Sequence, residues 1–520
     1  MFGFVHLENI MIRFPSLFCA AALLGFAAFC SLSAFSQSST RTPLQAILVG
    51  GGPDTDNNQA AIEGNIRYLN RLLPPQTPRT TLFADGNSKS ETVLFDVESD
   101  ASDRANRLWK MLFEGKRPDP DSWVATRAPR LNSRLDGASN EKNIARAFAK
   151  VRSSAPLLAY FTGHGGENER DSNNNNYNLW GQEELSVREL ARDIARLPQK
   201  TPVTLVMVQC YSGAFGNVLF QDGDPKKPLI ERDIAGFFAS TNDRMAAGCT
   251  SEVDEAEYHD FTSYFFAAAT GRDRVGRAVT GVDFNRDGRV GGDEAFAYAL
   301  ARDRSIDVPT NTSDVFLRRF AKVSDAQRSS TRWSQLRAWA LPSQRFALDE
   351  LSKELKLSGE NRVAQARRLS ASASPSMLAE IKTAFSQGAA EGVAQDRYDK
   401  ARLAARERVL VRWPLLSKTG ERAKLKGSVI QTFEREIDAA QWSELFEADA
   451  AVTQLQMKEA QAESDAENAQ AHALRLVRLS DSVLLRRNLQ SGQNARLKPR
   501  LARLLHAESR SVLPPVARLR

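Results

Sequence analysis

The chain has 520 residues, more than one ordinary domain holds and enough for two or three. Hydrophobic residues make up 42% and charged residues 26%, the proportions of a globular protein, which excludes a disordered or fibrous chain. The formal net charge of +7 is spread along the sequence, so no nucleic-acid partner is expected, although attraction to an anionic surface is allowed.

The N-terminus reads as a targeting segment. Ile12-Arg13 precedes an apolar run from Phe14 to Phe35, with small residues near Ala34-Phe35-Ser36. That order, basic, apolar, then small, predicts a secretory signal peptide over residues 1–36, with Met11 the better placed start. The alternative is an uncleaved membrane anchor, since the run is long enough to span a bilayer. The expected location is secreted or periplasmic, or membrane-anchored through this segment. Cys19 and Cys30 lie in it, and each follows a Phe where a lipid-attachment signal needs a small residue. Only Cys210 and Cys249 then remain in the exported chain, too few for a disulfide framework and enough for one reactive thiol.

Past a polar leader over 37–43, Leu44–Val49 reads as a strand ending at Gly50-Gly51-Gly52. GxGxxG spacing is absent, so the glycines predict a tight turn. Helical apolar spacing runs from Gln59 to Leu73 and stops at Pro74-Pro75, and Thr80–Ala84 is a second strand. Residues 85–135 are polar and irregular, with a helix expected near Ala105–Phe113. Ser139 or Asn140 caps a helix through Val151. Pro156–Thr162 is an unbroken apolar strand that stops at Gly163-His164-Gly165-Gly166. A solvated loop is expected over Glu167–Asn178, and Ser186 caps a helix to Leu197. A second unbroken strand, Pro202–Val208, stops at Gln209-Cys210-Tyr211-Ser212-Gly213. Ala235–Thr241 is a further strand and Phe261–Ala269 a helix. Strands alternating with helices at these lengths predict an α/β fold with a mostly parallel sheet flanked by helices.

From about Ser324 the composition turns to helix formers. Long helices are predicted over Trp333–Leu355, Met377–Ala389, Asp396–Trp413, Gly427–Glu447 and Ala450–Leu485, with a Ser-rich linker over Leu369–Met377. The tail from Arg496 carries Lys498, Arg500, Arg503, Arg510, Arg518 and Arg520, a basic run read as a solvated end. Residues 44–322 are therefore expected to be one domain and 324–520 an all-α accessory domain, a surface on which a protein partner could dock.

His164 and Cys210 both stand just past buried-type strands. Ligands of open α/β sheets bind beyond the carboxyl ends of the strands, so an imidazole and a thiol arrive at one rim, the pair that a cysteine nucleophile needs. Cys249, in Ala246-Ala247-Gly248-Cys249-Thr250, follows no such strand and reads as a packing residue.

Thr162-Gly163-His164-Gly165 and Gln209-Cys210-Tyr211-Ser212-Gly213, 210 − 164 = 46 residues apart in that order, resemble the clan of caspases, legumains and gingipains over roughly residues 44–305. The match is nearer legumains than caspases. It lacks the caspase Gln-Ala-Cys, and Val208 stands where legumains place an acidic residue. The resemblance implies a caspase-like fold and a cysteine endopeptidase acting on a protein or peptide substrate. It implies Cys210 as nucleophile, His164 as general acid and base, and the backbone N–H groups of Gly165 and Cys210 as an oxyanion hole. It also implies a specificity pocket around Gly236–Thr241. Glu252, Asp254, Glu255 and Glu257 follow; an acidic wall there would favour Lys, Arg or Asn at the cleavage position, and an exposed acidic loop is the equal alternative. The other readings are a transpeptidase with the same dyad and a non-catalytic scaffold. By analogy with legumains, the helical half is a propeptide-like cap.

Asp283–Glu294 matches the 12-residue calcium loop at its oxygen-bearing positions, its Gly288 and its final Glu. The expected ligands are Asp283, Asn285, Asp287, the carbonyl of Arg289 and Glu294. Val290 is expected to turn into the core and a helix to start near Asp293. A bound Ca²⁺ would be structural.

Overall fold

A computed structural model of the protein describes residues 44–97, 101–114, 124–152, 154–371, 388–492 and 495–513. The signal segment over 1–36, the Met377–Ala389 helix except its last two residues, most of the serine-rich linker and the last basic residues lie outside these. Among the described residues, no helix is long and apolar enough to cross a membrane.

The front half is built around a six-stranded sheet. Its strands are β1 (Gln45–Gly51), β2 (Arg79–Phe83), β5 (Leu157–Gly163), β9 (Val203–Met207), β10 (Ile234–Phe238) and β11 (Thr310–Asn311). Their spatial order is β2-β1-β5-β9-β10-β11, parallel except for β11, which runs antiparallel to β10. Side chains alternate between two cores. Along β5, Leu157, Ala159 and Phe161 enter one core, and Leu158 and Tyr160 the other. That double burial is why the strand is an unbroken apolar run in sequence.

The crossover helices are α1 (Ala60–Leu72), α3 (Glu141–Lys150) and α4 (Val187–Ala195). Each starts near where its local chemistry says. The Asn140 side chain accepts the Asn143 N–H at 2.9 Å, and Ser186 and Glu189 form a reciprocal capping box. Helices α1, α5 (Phe261–Thr270) and α6 (Gly292–Arg302) cover one face of the sheet. Helices α3, α4 and α7 (Thr312–Phe320) cover the other. The irregular 85–135 stretch contains two paired strands, β3 (Val93–Asp96) and β4 (Val124–Arg127), and the helix α2 (Ala101–Trp109).

The Asn-rich loop is more ordered than a solvated loop. β6 (Gly165–Gly166), β7 (Asn176–Leu179) and β8 (Glu183–Ser186) form a small antiparallel sheet. Asn175 is fully buried and donates to the Asn242 carbonyl at 2.8 Å.

The C-terminal half is all helical: α8 (Asp325–Ser330), α9 (Trp333–Trp339), α10 (Pro342–Glu354), α11 (Arg362–Ala371), α12 (Gly388–Arg412), α13 (Thr419–Glu436), α14 (Ala440–Ser491) and α15 (Leu497–Glu508). Three boundaries differ from expectation. Pro342 splits the Trp333–Leu355 helix, because its ring is accepted at a helix start and not in an interior. α11 continues through Ala371, so the linker does not begin at Leu369. The break expected near residue 448 falls instead at 437–439, where neither Gly nor Pro marks it. There Ile437 packs with Phe433 and Trp442, and Asp438 pairs with Arg104.

Residues 324–513 are not a separate domain, which corrects the expected division at 322. One hydrophobic core runs from Leu205, Phe238 and Phe316 on the sheet side to Trp333, Leu348, Leu476, Val483 and Leu501 on the helical side. Glu508 of α15 accepts the Thr312 hydroxyl and the Ser313 N–H, each at 2.7 Å, at the start of α7. Burial raises its carboxyl to about 7. Helices α2, α12, α13 and the start of α14 enclose a further core of Leu108, Met111, Val409, Phe433, Trp442 and Leu445. α14, 52 residues and so roughly 75–80 Å long, joins the two cores, with a polar middle exposed between them.

Candidate active site at the sheet switch point

Strand order reverses at β1: the chain goes outward to β2, then returns to β5 on the other side and continues through β9 to β10. The crevice beyond the carboxyl ends of β1 and β5 is therefore the switch point at which such sheets bind ligands. β5 and β9 pair in parallel through Phe161↔Met207, and His164 and Cys210 each lie three residues further on. Equal register on adjacent strands, about 4.8 Å apart in a sheet, brings the two segments side by side.

The glycines make that approach possible. A Cβ on Gly165 would overlap the Cys210 carbonyl oxygen and come within 2.7 Å of Gln209 Cγ. Gly163 has φ +154°, and a Cβ there would meet the Gly51 carbonyl oxygen at 2.5 Å and the Tyr177 hydroxyl at 2.9 Å. Tyr211 follows Cys210 at φ +59°, a left-handed conformation unusual for its residue type. Such strain concentrates at functional turns. Its N–H is tied to the Arg244 carbonyl at 2.8 Å.

His164 Nε2 is hydrogen-bonded to Gln59 Oε1 at 3.0 Å, across the switch point from the loop after β1. Burial lowers the imidazole pKa below its usual value, and the Asn57 backbone and Asp54 oppose this only in part. The ring is therefore neutral at neutral pH. The Cys210 thiol is pushed up, chiefly by burial. The Ala246 N–H donates to its sulfur at 3.3 Å, which favours the thiolate. Gln59 and Ala246 carry no motif, and sequence reading missed both.

Cys249 is closer to this site than its sequence context suggested. Its Sγ lies 3.7 Å from the Gly163 carbonyl oxygen, just before His164. Burial raises that thiol far above the ordinary cysteine range, and the Cys210 charge adds to the effect.

The acidic wall does not form. Glu255 pairs with Arg67 at 2.6 Å and with Arg71 at 2.5 Å, against α1, and with Arg274 at 3.5 Å. Glu252 is half-buried, and Asp254 and Glu257 are exposed. Thr241 instead lines a cavity of about 220 Å³ with Gly213, Asp314, Arg318, Arg319 and Arg478. Three guanidiniums there face one carboxylate, the opposite sign from the expected wall.

In the Asp283–Glu294 loop, Asp283 accepts the Asp287 and Gly288 N–H groups at 3.0 and 2.9 Å. Asn285 accepts from Asp287, and Asp287 from Arg289. Both Glu294 oxygens take backbone N–H groups, from Phe284, Asn285 and Gly291. Gly288 has φ +84°, and α6 begins at Gly292, one residue before the expected start. Val290 packs, partly buried, against the core. Among the described residues, no three acidic, His or Cys side chains are gathered as metal ligands.

No protein-family model matches the chain, and no curated protein matches it. A structural-genomics protein from Geobacter sulfurreducens of known structure is similar to it at 11% identity and a TM-score of 0.27, over 52% of this chain and 92% of that one. A similarity that slight carries no argument about fold or function.

Proposed function

We propose that the protein is a cysteine peptidase of the caspase–legumain type, with Cys210 as nucleophile and His164 as general base and acid. The observation that carries this is the equal register of the two residues at the switch point, with Gly165 against the Cys210 carbonyl. A raised thiol and a lowered imidazole form a neutral pair at rest. Cys210 therefore needs His164 to remove its proton as the sulfur attacks a peptide carbonyl. The tetrahedral oxyanion is stabilised by backbone N–H groups of Gly165 and Cys210. The imidazolium then protonates the leaving amine, and water hydrolyses the thioester.

The test is a panel of peptide substrates with thiol alkylation mapped by mass spectrometry. Hydrolysis should appear, should disappear in step with labelling of Cys210, and should outlast labelling of Cys249. The acid limb of kcat/KM should lie below pH 6.5, because burial favours the neutral imidazole. Hydrolysis that persists after complete Cys210 labelling would remove the thiol from the reaction, and an acid limb above 6.5 would overturn the neutral resting pair.

We further propose that the Asp283–Glu294 loop holds a structural calcium ion. The donor set of Asp283, Asn285, Asp287, the Arg289 carbonyl and Glu294 is all oxygen, which suits a hard cation, and Gly288 has the conformation that the loop's sixth position requires. Saturating calcium should raise Tm relative to chelator. At a hundredfold excess over Kd the gain is about 2.7 kcal/mol. Glu294→Ala also removes acceptors for three loop N–H groups. The informative quantity is therefore the calcium increment in Asp283→Ala, which should vanish. Equal Tm with calcium and with chelator in the unmodified protein would dismiss the site.

A further inference from the structure

We infer that Asp307 is a positioning residue for Cys210, and that Arg475 of helix α14 holds Asp307 in place. This rests on the peptidase reading of Cys210 and adds to it a control that reaches the nucleophile from the C-terminal helices.

The inference begins at the sulfur. Three consecutive ties fix the 244–247 segment over Cys210. The Tyr211 N–H donates to the Arg244 carbonyl at 2.8 Å, the Ala246 N–H donates to Cys210 Sγ at 3.3 Å, and the Ala247 N–H donates to Asp307 Oδ1 at 2.7 Å. The last anchors the peptide next to the one that touches the sulfur. Asp307 is fully buried, and its other oxygen accepts the Phe261 N–H at 3.2 Å, so one carboxyl joins the loop over Cys210 to the start of α5. Of those ties, the sulfur contacts and the Arg244 carbonyl would remain without it, together with the packing of Ala246 against the core.

Asp307 is itself held from the far side of the molecule. Arg475 is fully buried and spends its guanidinium on backbone carbonyls of the 300–307 segment: Asp307 at 2.6 Å, Asp303 at 2.6 Å, Ser305 at 2.7 Å and Leu300 at 3.4 Å. His472, one turn earlier, meets the Asp303 carbonyl at 2.9 Å. A planar fork with five donors suits this array, and a lysine ammonium could not span it. The chain of contacts runs from Arg475 to the 303–307 loop, to Ala247, to Ala246 and to the sulfur.

The charged and titratable groups around the two thiols come from several elements. They are Tyr211 beside Cys210 with Glu167 near it, Asp260 before α5 with Arg274 at 3.6 Å, and Asp303 and Asp307 with Arg475. Charge and position make opposite predictions at Asp307. Burial, with Asp303 adding to it, pushes the Asp307 carboxyl itself well above the usual carboxylate range. When ionised, it raises the Cys210 thiol as a nearby negative charge, so removing that charge alone would make the thiol more acidic. As the anchor of the N–H donor at the sulfur it favours the thiolate, so removing the anchor would make the thiol less acidic.

The test measures the pH dependence of iodoacetamide labelling at Cys210 in the full-length protein, alongside Tm and peptide hydrolysis. Asp307→Ala removes the acceptor and should slow labelling at pH 8 about tenfold, the worth of one hydrogen bond to a charged sulfur, with its midpoint moved to higher pH. Asp307→Asn keeps an acceptor oxygen for Ala247 while giving up the one for Phe261, and should label as fast as the unmodified protein or faster. Arg475→Lys should move the profile in the same direction as Asp307→Ala. If the alanine variant does not fold, Asp307→Ser, too short to reach Ala247, takes its place. Equal shifts in the Asn and Ala variants would overturn the positioning role in either direction: toward lower pH they show the lost charge alone, and toward higher pH they show that the oxygen kept for Ala247 makes no difference. A lowered Tm with an unmoved labelling profile would overturn it as well. If the labelling follows the expected pattern while no peptide is cleaved by the unmodified protein, the positioning role stands and the peptidase reading falls.

Discussion

A chain ending at Lys322 is expected to be insoluble or to melt without cooperativity, and to cleave no peptide. Cutting there removes Trp333, Leu336, Leu348, Leu351, Leu476, Val483, Leu484, Leu501 and Leu504 from the core that they share with Leu205, Phe238, Phe316 and Leu317. Each such side chain contributes about 1.5–3 kcal/mol when buried, and a whole domain is stable by only about 5–15 kcal/mol. The cut also strips Glu508 from the Ser313 N–H at the start of α7 and Arg475 from the carbonyls of the 300–307 segment, leaving those groups without their partners. Solubility, a thermal melt and peptide hydrolysis on this truncated chain decide the matter. A monodisperse, cooperatively melting and active product would make the helical half an accessory layer after all.

Cys210→Ala and His164→Ala are each expected to abolish peptide hydrolysis while Tm stays within a few degrees of the unmodified protein. Neither side chain is a large core element. The sulfur's ties are to the Ala246 backbone, and the imidazole's is to Gln59. Losing either member of a nucleophile–base pair removes most of the rate, because the two act as a unit. Gly165→Ala should be equally inactive for a different reason. Its methyl group would overlap the Cys210 carbonyl, so the two strand ends must part. That variant should also lose about 1–3 kcal/mol of stability, as overpacked sites do. A Gly165→Ala protein with unchanged stability and activity would mean that the strand ends are less tightly apposed than this geometry shows. Full activity in Cys210→Ala would end the proposal for this thiol.

The central sheet was legible because its information is local. Strands β5 and β9 are buried on both faces, so apart from Thr162 and Thr204 they are a nearly continuous apolar run, and such a run needs no knowledge of its neighbours to be seen. Asn140 and Ser186 announced their helices through bonds made within three residues. Pro342 carried its signal too, since the missing N–H of proline acts wherever the ring stands.

The sequence by itself therefore determined the α/β class, the strand ends that present His164 and Cys210, and most helix starts. Periodicity, caps and breakers are properties of a few adjacent residues. Only the tertiary structure decided the rest. The helical half reads as self-sufficient because helix-forming composition is satisfied by any apolar partner. That its partner is the sheet-side core depends on surfaces far apart in the chain fitting one another. The end of α13 at Ile437 is set by packing with Phe433 and Trp442, with no breaker in the sequence. Gln59 reaches His164 from 105 positions away, and Arg475 reaches Asp307 from 168. Long-range hydrogen bonds of that kind leave no periodic trace, because the spacing between their partners is fixed by the fold and not by the turn of a helix or the pleat of a strand.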